Sequence, residues 1–146
     1  MRDEATERSR VVQEALSWLG TPYHLNGRVM GAGADCATLL VAAFEGAGLL
    51  NDVHLADYHA GFHLHRGDEI YLEGIQQYCI ETVKDRPQPG DIIMYRYGRI
   101  VSHAALVVNW PQIIHAQAGV GVVLASGMDA GLRERQAAIF DFWGAK

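Results

Sequence analysis

A Pro-Gln-Pro-Gly turn at residues 87–90 divides the sequence into two parts with different hydrophobic patterns. Before the turn, apolar residues recur at the spacing of helices. After it, short apolar segments alternate with turn residues, as they do in antiparallel strands. Helices followed by strands along one chain predict an α+β fold. The predicted strands are Asp91–Tyr97, Val101–Asn109, Gln112–Ala116, Val120–Ala125 and Ala138–Trp143.

Three helices are predicted in the first part of the chain. Thr6–Leu19 places its apolar residues on one side and its charged residues on the other, as an amphipathic helix does. Glycines are frequent in Gly20–Gly33, which predicts an irregular loop. A buried helix is expected over Cys36–Gly46, with Asp35 in position to cap its start. Asp68–Val83 fits a third helix.

Length and composition fit one domain over residues 1–146, because a chain that is 49% hydrophobic can build one core of this size but not two. A net charge of −5 gives no reason to expect nucleic acid or an anionic membrane as a partner. The longest apolar run, Cys36–Phe44, is far shorter than the ~20 residues that span a bilayer. The charged start lacks the apolar stretch of a signal peptide, so we expect synthesis and folding in the cytoplasm, where Cys36 and Cys79 stay reduced.

Cys36 lies in the first turn of its predicted helix, where a cysteine can become reactive. The amides and dipole of a helix start lower the pKa of a thiol, and the same amides can stabilise an oxyanion. A nucleophilic cysteine also needs a histidine that a third group holds in place. His103 begins one predicted strand and His115 ends the next, so the turn at Asn109–Pro111 brings both to one edge. Taken singly, each of these residues is more commonly a core residue, and Cys79 is expected to be one.

Five short motifs occur in order along most of the chain, from about Val11 to Val123. Together they resemble the motif series of the NlpC/P60 superfamily of cysteine peptidases. The resemblance implies a papain-like fold in which the cysteine helix packs on an antiparallel sheet. It also implies hydrolysis of amide bonds in cell-wall peptides, usually between γ-D-glutamate and a diamino acid, without a cofactor. The motifs are Gly20-Thr21-Pro22-Tyr23, Asp35-Cys36, Pro89-Gly90-Asp91, Ser102-His103 and Ile114-His115-Ala116.

The same resemblance gives roles to five residues. Cys36 matches the nucleophile of the family, and His103 matches its general base and acid. His115 matches the residue that orients the imidazole of His103. Tyr23 matches the tyrosine beside the nucleophile, and Asp35 matches the aspartate that in many members helps to bind the free amino end of the peptide.

Ala37 and Thr38 stand where most members of the family have serine and glycine, so the usual substrate subsite is not carried over in full. A catalytic domain without a signal peptide resembles the short NlpC/P60 proteins encoded among phage tail genes, which reach the wall as part of a virion. Phage tail proteins are therefore expected partners. Two alternatives stay open: a structural or assembly protein of a phage tail with a vestigial site, and acyl transfer to an acceptor other than water.

Four histidines, His54, His59, His63 and His65, lie in a predicted loop over Asn51–Gly67. Their spacings of 5, 4 and 2 residues match no standard structural-zinc pattern, and no His-Glu-x-x-His motif is present. We therefore expect a solvated or substrate-contacting loop and not a metal site.

Overall fold

The computed structural model describes residues 3–53 and 70–145, so His54, His59, His63 and His65 lie outside the described residues. The helices are α1 (Glu4–Leu16), α2 (Cys36–Gly46), α3 (Ile70–Gln76) and α4 (Ala130–Arg133), with a 3₁₀ turn at Trp143–Ala145. The strands are β1 (Arg28–Val29), β2 (Gly33–Ala34), β3 (Ile80–Thr82), β4 (Ile92–Tyr97), β5 (Ile100–Asn109), β6 (Gln112–Gln117), β7 (Gly121–Ser126) and β8 (Gln136–Asp141). No helix in the described part of the chain is long and apolar enough to cross a membrane.

The first two helices lie where the sequence predicts helices, although the bounds of α1 differ. Asp3 caps α1 by accepting a hydrogen bond from the Thr6 amide at 2.7 Å. The helix ends at Leu16, earlier than predicted, because the next residues form tight turns that lead to Gly20, whose φ is +85°. Helix α2 covers the predicted range and packs against α1. Its buried residues include Leu39, Leu40, Ala43 and Phe44.

Six antiparallel strands form one sheet in the order β3-β8-β4-β5-β6-β7, which confirms the α+β class. Alternate residues of the central strands belong to two hydrophobic clusters, as the two faces of a strand require. The first cluster joins the sheet to α1 and α2, and its strand residues include Ile92, Met94, Leu106 and Ile114. The second cluster is built from Ile93, Tyr95, Ala105, Val107, Ile113 and Ile139.

The predicted helix over Asp68–Val83 is wrong in its second half. Among the described residues of that range, helix covers only Ile70–Gln76, and Ile80–Thr82 is an edge strand paired with β8. The β-branched side chains of this segment favour a strand, and pairing with β8 satisfies its backbone groups. The strand at the end of the chain covers Gln136–Asp141 and not Ala138–Trp143.

The glycine-rich segment 20–33 contains order that the sequence did not predict. Its strand β1 pairs with β2 in a short hairpin, in which Arg28 lies opposite Ala34. Gly31 has a φ of +79° in the turn between them, a conformation that suits glycine. Strands of two residues show no hydrophobic period, so a sequence pattern cannot reveal them.

A buried network of charges joins α1 to the start of β4 and the end of β8. The Arg8 guanidinium donates to Asp91 Oδ1 at 2.9 Å and to Asp141 Oδ1 at 3.1 Å. Lys84 Nζ donates to the other oxygen of each carboxylate, at 2.8 and 3.1 Å. Arg8 also lies 4.3 Å from the centre of the Trp143 ring. The network therefore fixes the helix against the turn at residues 87–90 that opens the main run of strands.

Candidate active site

The start of α2 is fixed by Asp35. This carboxylate is fully buried, and its Oδ1 accepts hydrogen bonds from the amides of Ala37 and Thr38, both at 2.9 Å. The Thr38 hydroxyl accepts in return from the Asp35 amide at 2.8 Å, which completes a capping box. Asp35 Oδ2 accepts from the Asn26 amide at 2.6 Å, so the same side chain also holds the glycine-rich segment. Cys36 is therefore presented by a rigid helix start.

These contacts narrow one expectation from the sequence. The amides of Ala37 and Thr38 donate to Asp35, so the expected stabilisation of an oxyanion by the start of α2 does not come from these two amides and otherwise stays a prediction. Asp35 itself is buried, and its carboxylate accepts three backbone hydrogen bonds that hold the start of α2 and the glycine-rich segment. A contact between Asp35 and the amino end of a substrate stays a prediction.

The Cys36 side chain is half-buried and reaches β5. Its Sγ donates to the carbonyl oxygen of Ser102 at 3.9 Å. Tyr95 pairs with His103 whereas Arg96 pairs with Val101, so Ser102 is an extra residue on β5, a β-bulge. The bulge places the Ser102 carbonyl beside the Cys36 thiol. The next residue along the chain is His103.

The two predicted histidines are in contact. His103 Nε2 and His115 Nδ1 lie 2.8 Å apart. Strands β5 and β6 are antiparallel neighbours joined at Trp110-Pro111, so the expected meeting of the two imidazoles is confirmed. Nε2 of His115 is buried and has no hydrogen-bond partner among the described residues. His115 thus holds one nitrogen of His103 and leaves the other, Nδ1, for proton transfer.

Aromatic rings surround His103 on further sides. The Tyr95 ring centre lies 5.8 Å from that of His103, and the Tyr97 ring meets it at 5.8 Å and an angle of 86°. Burial, together with His115, lowers the pKa of His103 to about 3, and burial also lowers the pKa of His115. Both imidazoles are therefore neutral at neutral pH. The Arg135 guanidinium lies 4.7 Å from the centre of the Tyr97 ring.

Tyr23 lies beside the start of α2 through a bridge to Ala34, the last residue of β2. Burial raises the pKa of Tyr23 to about 12, and the nearby charges of Cys36 and Asp35 act in the same direction. The Tyr23 hydroxyl therefore keeps its proton across the physiological range and can act as a donor next to the nucleophile.

Three participants were not predicted from the sequence. The Ser102 carbonyl contacts the thiol because of a bulge, and a bulge leaves no reliable mark in one sequence. Tyr95 and Tyr97 lie two residues apart on β4, a spacing that places them on one face but does not show that His103 lies there. Cys79 behaves as expected, since it is buried and burial raises its pKa to about 12. Among the described residues, no group of three potential ligands surrounds a metal position.

The sequence matches the profile of a known protein family. The family profile described as "NlpC/P60 family" matches residues 20–139 of the chain. A curated relative, dipeptidyl-peptidase 6 of Lysinibacillus sphaericus, is 30% identical over 127 residues, which is 87% of this chain and 39% of that protein. The chain therefore spans well under half the length of this relative.

Solved structures show the same fold. A lipoprotein-like protein of the NLP/P60 family from Staphylococcus aureus superposes with a TM-score of 0.68 at 18% identity, covering 97% of this chain and 42% of that one. The NlpC/p60 domain of the peptidoglycan hydrolase SagA superposes with a TM-score of 0.65 at 17% identity. That match covers 92% of this chain and 97% of the SagA domain, so the two are of similar extent.

Proposed function

Because the chain belongs to the NlpC/P60 family, we propose that it is a cysteine peptidase that hydrolyses amide bonds in the stem peptides of peptidoglycan. One observation carries the proposal. The Cys36 thiol contacts the backbone of β5 at Ser102, and the next residue, His103, is held through Nε2 by His115. Nucleophilic catalysis by cysteine needs a thiol, an imidazole that takes its proton, and a third group that orients the imidazole.

The first chemical step is acylation of Cys36. The sulfur attacks the carbonyl carbon of the scissile amide while its proton passes to His103 Nδ1, since Nε2 is engaged by His115. The imidazolium then carries protons on both nitrogens, so His115 Nδ1 must act as the acceptor and His115 carries its own proton on Nε2. The Tyr23 hydroxyl, protonated beside the sulfur, is our candidate donor to the oxyanion.

The second step releases the products. The tetrahedral intermediate collapses to a thioester as His103 gives its proton to the leaving amine. Water then attacks the thioester and loses a proton to His103. Collapse of this second intermediate releases a carboxylic acid, which loses its proton to water, while His103 returns its own proton to the Cys36 sulfur. No cofactor enters this scheme.

The bond between γ-D-glutamate and a diamino acid is our proposed target. The names of SagA and of the Lysinibacillus relative, a peptidoglycan hydrolase and a dipeptidyl-peptidase, support a peptidase of wall peptides. Ala37 occupies the position of the family serine and is buried, so it offers no hydroxyl to a substrate there. Delivery by a phage tail stays a prediction, to be tested by searching for the chain in purified virions by mass spectrometry.

The test is digestion of purified stem peptides, with products read by mass spectrometry. Wild type should cleave, whereas Cys36→Ala and His103→Ala should not, although both keep their fold. Cys79→Ala is the matched control, because it removes the other thiol and should keep activity. Absence of cleavage by folded wild type on all stem peptides would reject the proposal and favour a structural role; cleavage by Cys36→Ala would reject the nucleophile.

A further inference from the structure

We propose that Arg135 is a specificity-determining residue, which binds a carboxylate on the side chain of the diamino acid that leaves with the new amine. This inference rests on the proposed function and deepens it, because it assigns the chemistry of the leaving half of the substrate. Three observations carry it: the position of Arg135 relative to His103, the way its guanidinium is held, and the charge around it.

Arg135 is connected to His103 through one aromatic ring. Its guanidinium carbon lies 4.7 Å from the centre of the Tyr97 ring, and the edge-on contact between the Tyr97 and His103 rings spans 5.8 Å between centres. One ring therefore separates the guanidinium from the imidazole. A carboxylate about six bonds from a nitrogen bound at His103, as at the far end of a diamino acid side chain, reaches across that ring.

The proton transfers decide which half of the substrate lies on this side. His103 gives its proton to the leaving amine, so the residue that carries this amine must sit against the imidazole. Tyr23 and Asp35, the positions expected to contact the acyl half, lie at the start of α2 instead. Tyr97 ends β4 and Arg135 immediately precedes β8, so both border the amine half.

The Arg135 guanidinium is held before any substrate binds. It lies over the Tyr97 ring, and its Nη1 donates to the Gly131 carbonyl oxygen at 3.4 Å. The main chain is fixed as well, because the Arg135 carbonyl oxygen accepts a hydrogen bond from the Arg96 amide at 2.8 Å. A guanidinium placed on an aromatic ring presents its other N–H groups as the planar fork that matches a carboxylate.

The charge around Arg135 suits an anion. The chain carries a net charge of −5, yet two short segments that meet here contain four arginines against two carboxylates, Asp129 and Glu134. Arg99, Arg133 and Arg135 are exposed, and none of the three forms a salt bridge with a carboxylate of the described residues. An anionic group of the substrate is therefore attracted to this side of the site. The four arginines are Arg96, Arg99, Arg133 and Arg135.

The chemistry of Arg135 selects among diamino acids. A carboxylate accepts two parallel hydrogen bonds from a guanidinium, whereas a carboxamide accepts through one oxygen and a side-chain ammonium is repelled. We therefore expect stem peptides whose diamino acid carries a free side-chain carboxylate to bind better than peptides in which that group is amidated or absent.

The test compares two tetrapeptides, L-alanyl-γ-D-glutamyl-meso-diaminopimelyl-D-alanine and the same peptide with its side-chain carboxylate amidated. Wild type should prefer the free carboxylate by about tenfold in kcat/KM, mainly through KM, because the contact is remote from the reacting bond. Arg135→Gln should reduce this preference to about twofold or less. Arg135→Lys, which keeps the charge and loses the planar fork, should give an intermediate value.

Arg133→Gln is the matched control, because Arg133 is an exposed arginine two residues earlier in the same segment. It should keep the wild-type preference. Equal losses of preference in Arg133→Gln and Arg135→Gln would overturn the specific contact, since they would show only a general attraction of anions. Equal kcat/KM of wild type for the two peptides would overturn the selection of a carboxylate.

Binding of the same peptides to Cys36→Ala, measured by calorimetry, separates this inference from the peptidase. A preference in binding that is lost in Cys36→Ala/Arg135→Gln, without cleavage by wild type, rejects only the peptidase. Cleavage by wild type without any preference rejects only the role of Arg135. Absence of both binding and cleavage rejects both proposals.

Discussion

Replacement of Arg8 by alanine tests whether the buried charge network holds α1 on the sheet. The Arg8 side chain is 6% exposed and Asp91 is fully buried, so the variant leaves a buried carboxylate without one of its two cations. Removal of one partner from a buried ion pair costs about 3–5 kcal/mol. Lys84 still contacts both Asp91 and Asp141 within 3.1 Å, so we expect the lower end of that range.

A loss of about 3 kcal/mol lowers the melting temperature of a chain of this size by about 6–12 °C. The assay is urea denaturation followed by circular dichroism, with thermal melting as a second measurement. Arg10→Ala is the matched control, because Arg10 lies exposed on the same helix, and it should change the unfolding free energy by less than about 0.5 kcal/mol.

A difference of less than 1 kcal/mol between Arg8→Ala and Arg10→Ala would refute the reasoning. It would show that Lys84 alone neutralises both carboxylates. Lys84→Ala, whose side chain is 19% exposed, should fall between the two variants. Since Arg8 lies outside the candidate active site, thiol alkylation at Cys36 should be unaffected wherever the variant remains folded.

Three further predictions concern the site and its supports. His115→Ala should lower kcat by about 100-fold or more with a smaller change in KM, because His103 loses the group that fixes its ring; equal activity of variant and wild type in the stem-peptide assay would exclude that role. The folded-state pKa of His103 is about 3, below the unfolded ~6.5, so the unfolded chain binds protons first and the free energy of unfolding should fall as pH decreases from 6.5 towards 3. Urea midpoints at pH 7, 5.5 and 4.5 check this, and His103→Gln should show a smaller fall. Gly121→Ala should destabilise more than Gly119→Ala, because a Cβ at 121 would lie 2.5 Å from the Thr21 carbonyl whereas one at 119 meets no atom within 4 Å; equal thermal melts would contradict this.

Local signals explain which parts of the fold could be predicted. Asp35 before an alanine- and leucine-rich run predicted the start of α2, and the glycines at 46 and 48 predicted its end, because capping and helix propensity act within a few residues. The pattern over Ile80–Thr82 predicts helix, whereas the structure has a strand, because its pairing with β8 depends on residues about 60 positions away. A sequence pattern shows the local preference of a segment, whereas an edge strand forms only when a distant strand pairs with it.

The same distinction applies to the candidate site. The meeting of His103 and His115 followed from two neighbouring strands and one turn, which a sequence can indicate. The sequence predicted Asp35 as the cap of α2, whereas the two amides that its carboxylate engages are known only from the structure. The contact between Cys36 and Ser102 depends on a one-residue irregularity between distant segments, and no periodic pattern encodes it.

The β-bulge at Ser102 affects the strand and the active site differently. Val101 and Ala104 both belong to the cluster under the helices, although three residues of regular strand would turn them to opposite faces. Removing Ser102 would bring them two positions apart and leave both on the same face, so a shorter chain could form an equally regular hairpin. It would lose the carbonyl oxygen that accepts the hydrogen bond of the Cys36 thiol. The architecture tolerates either length of strand, whereas the contact with the Cys36 sulfur needs the extra residue.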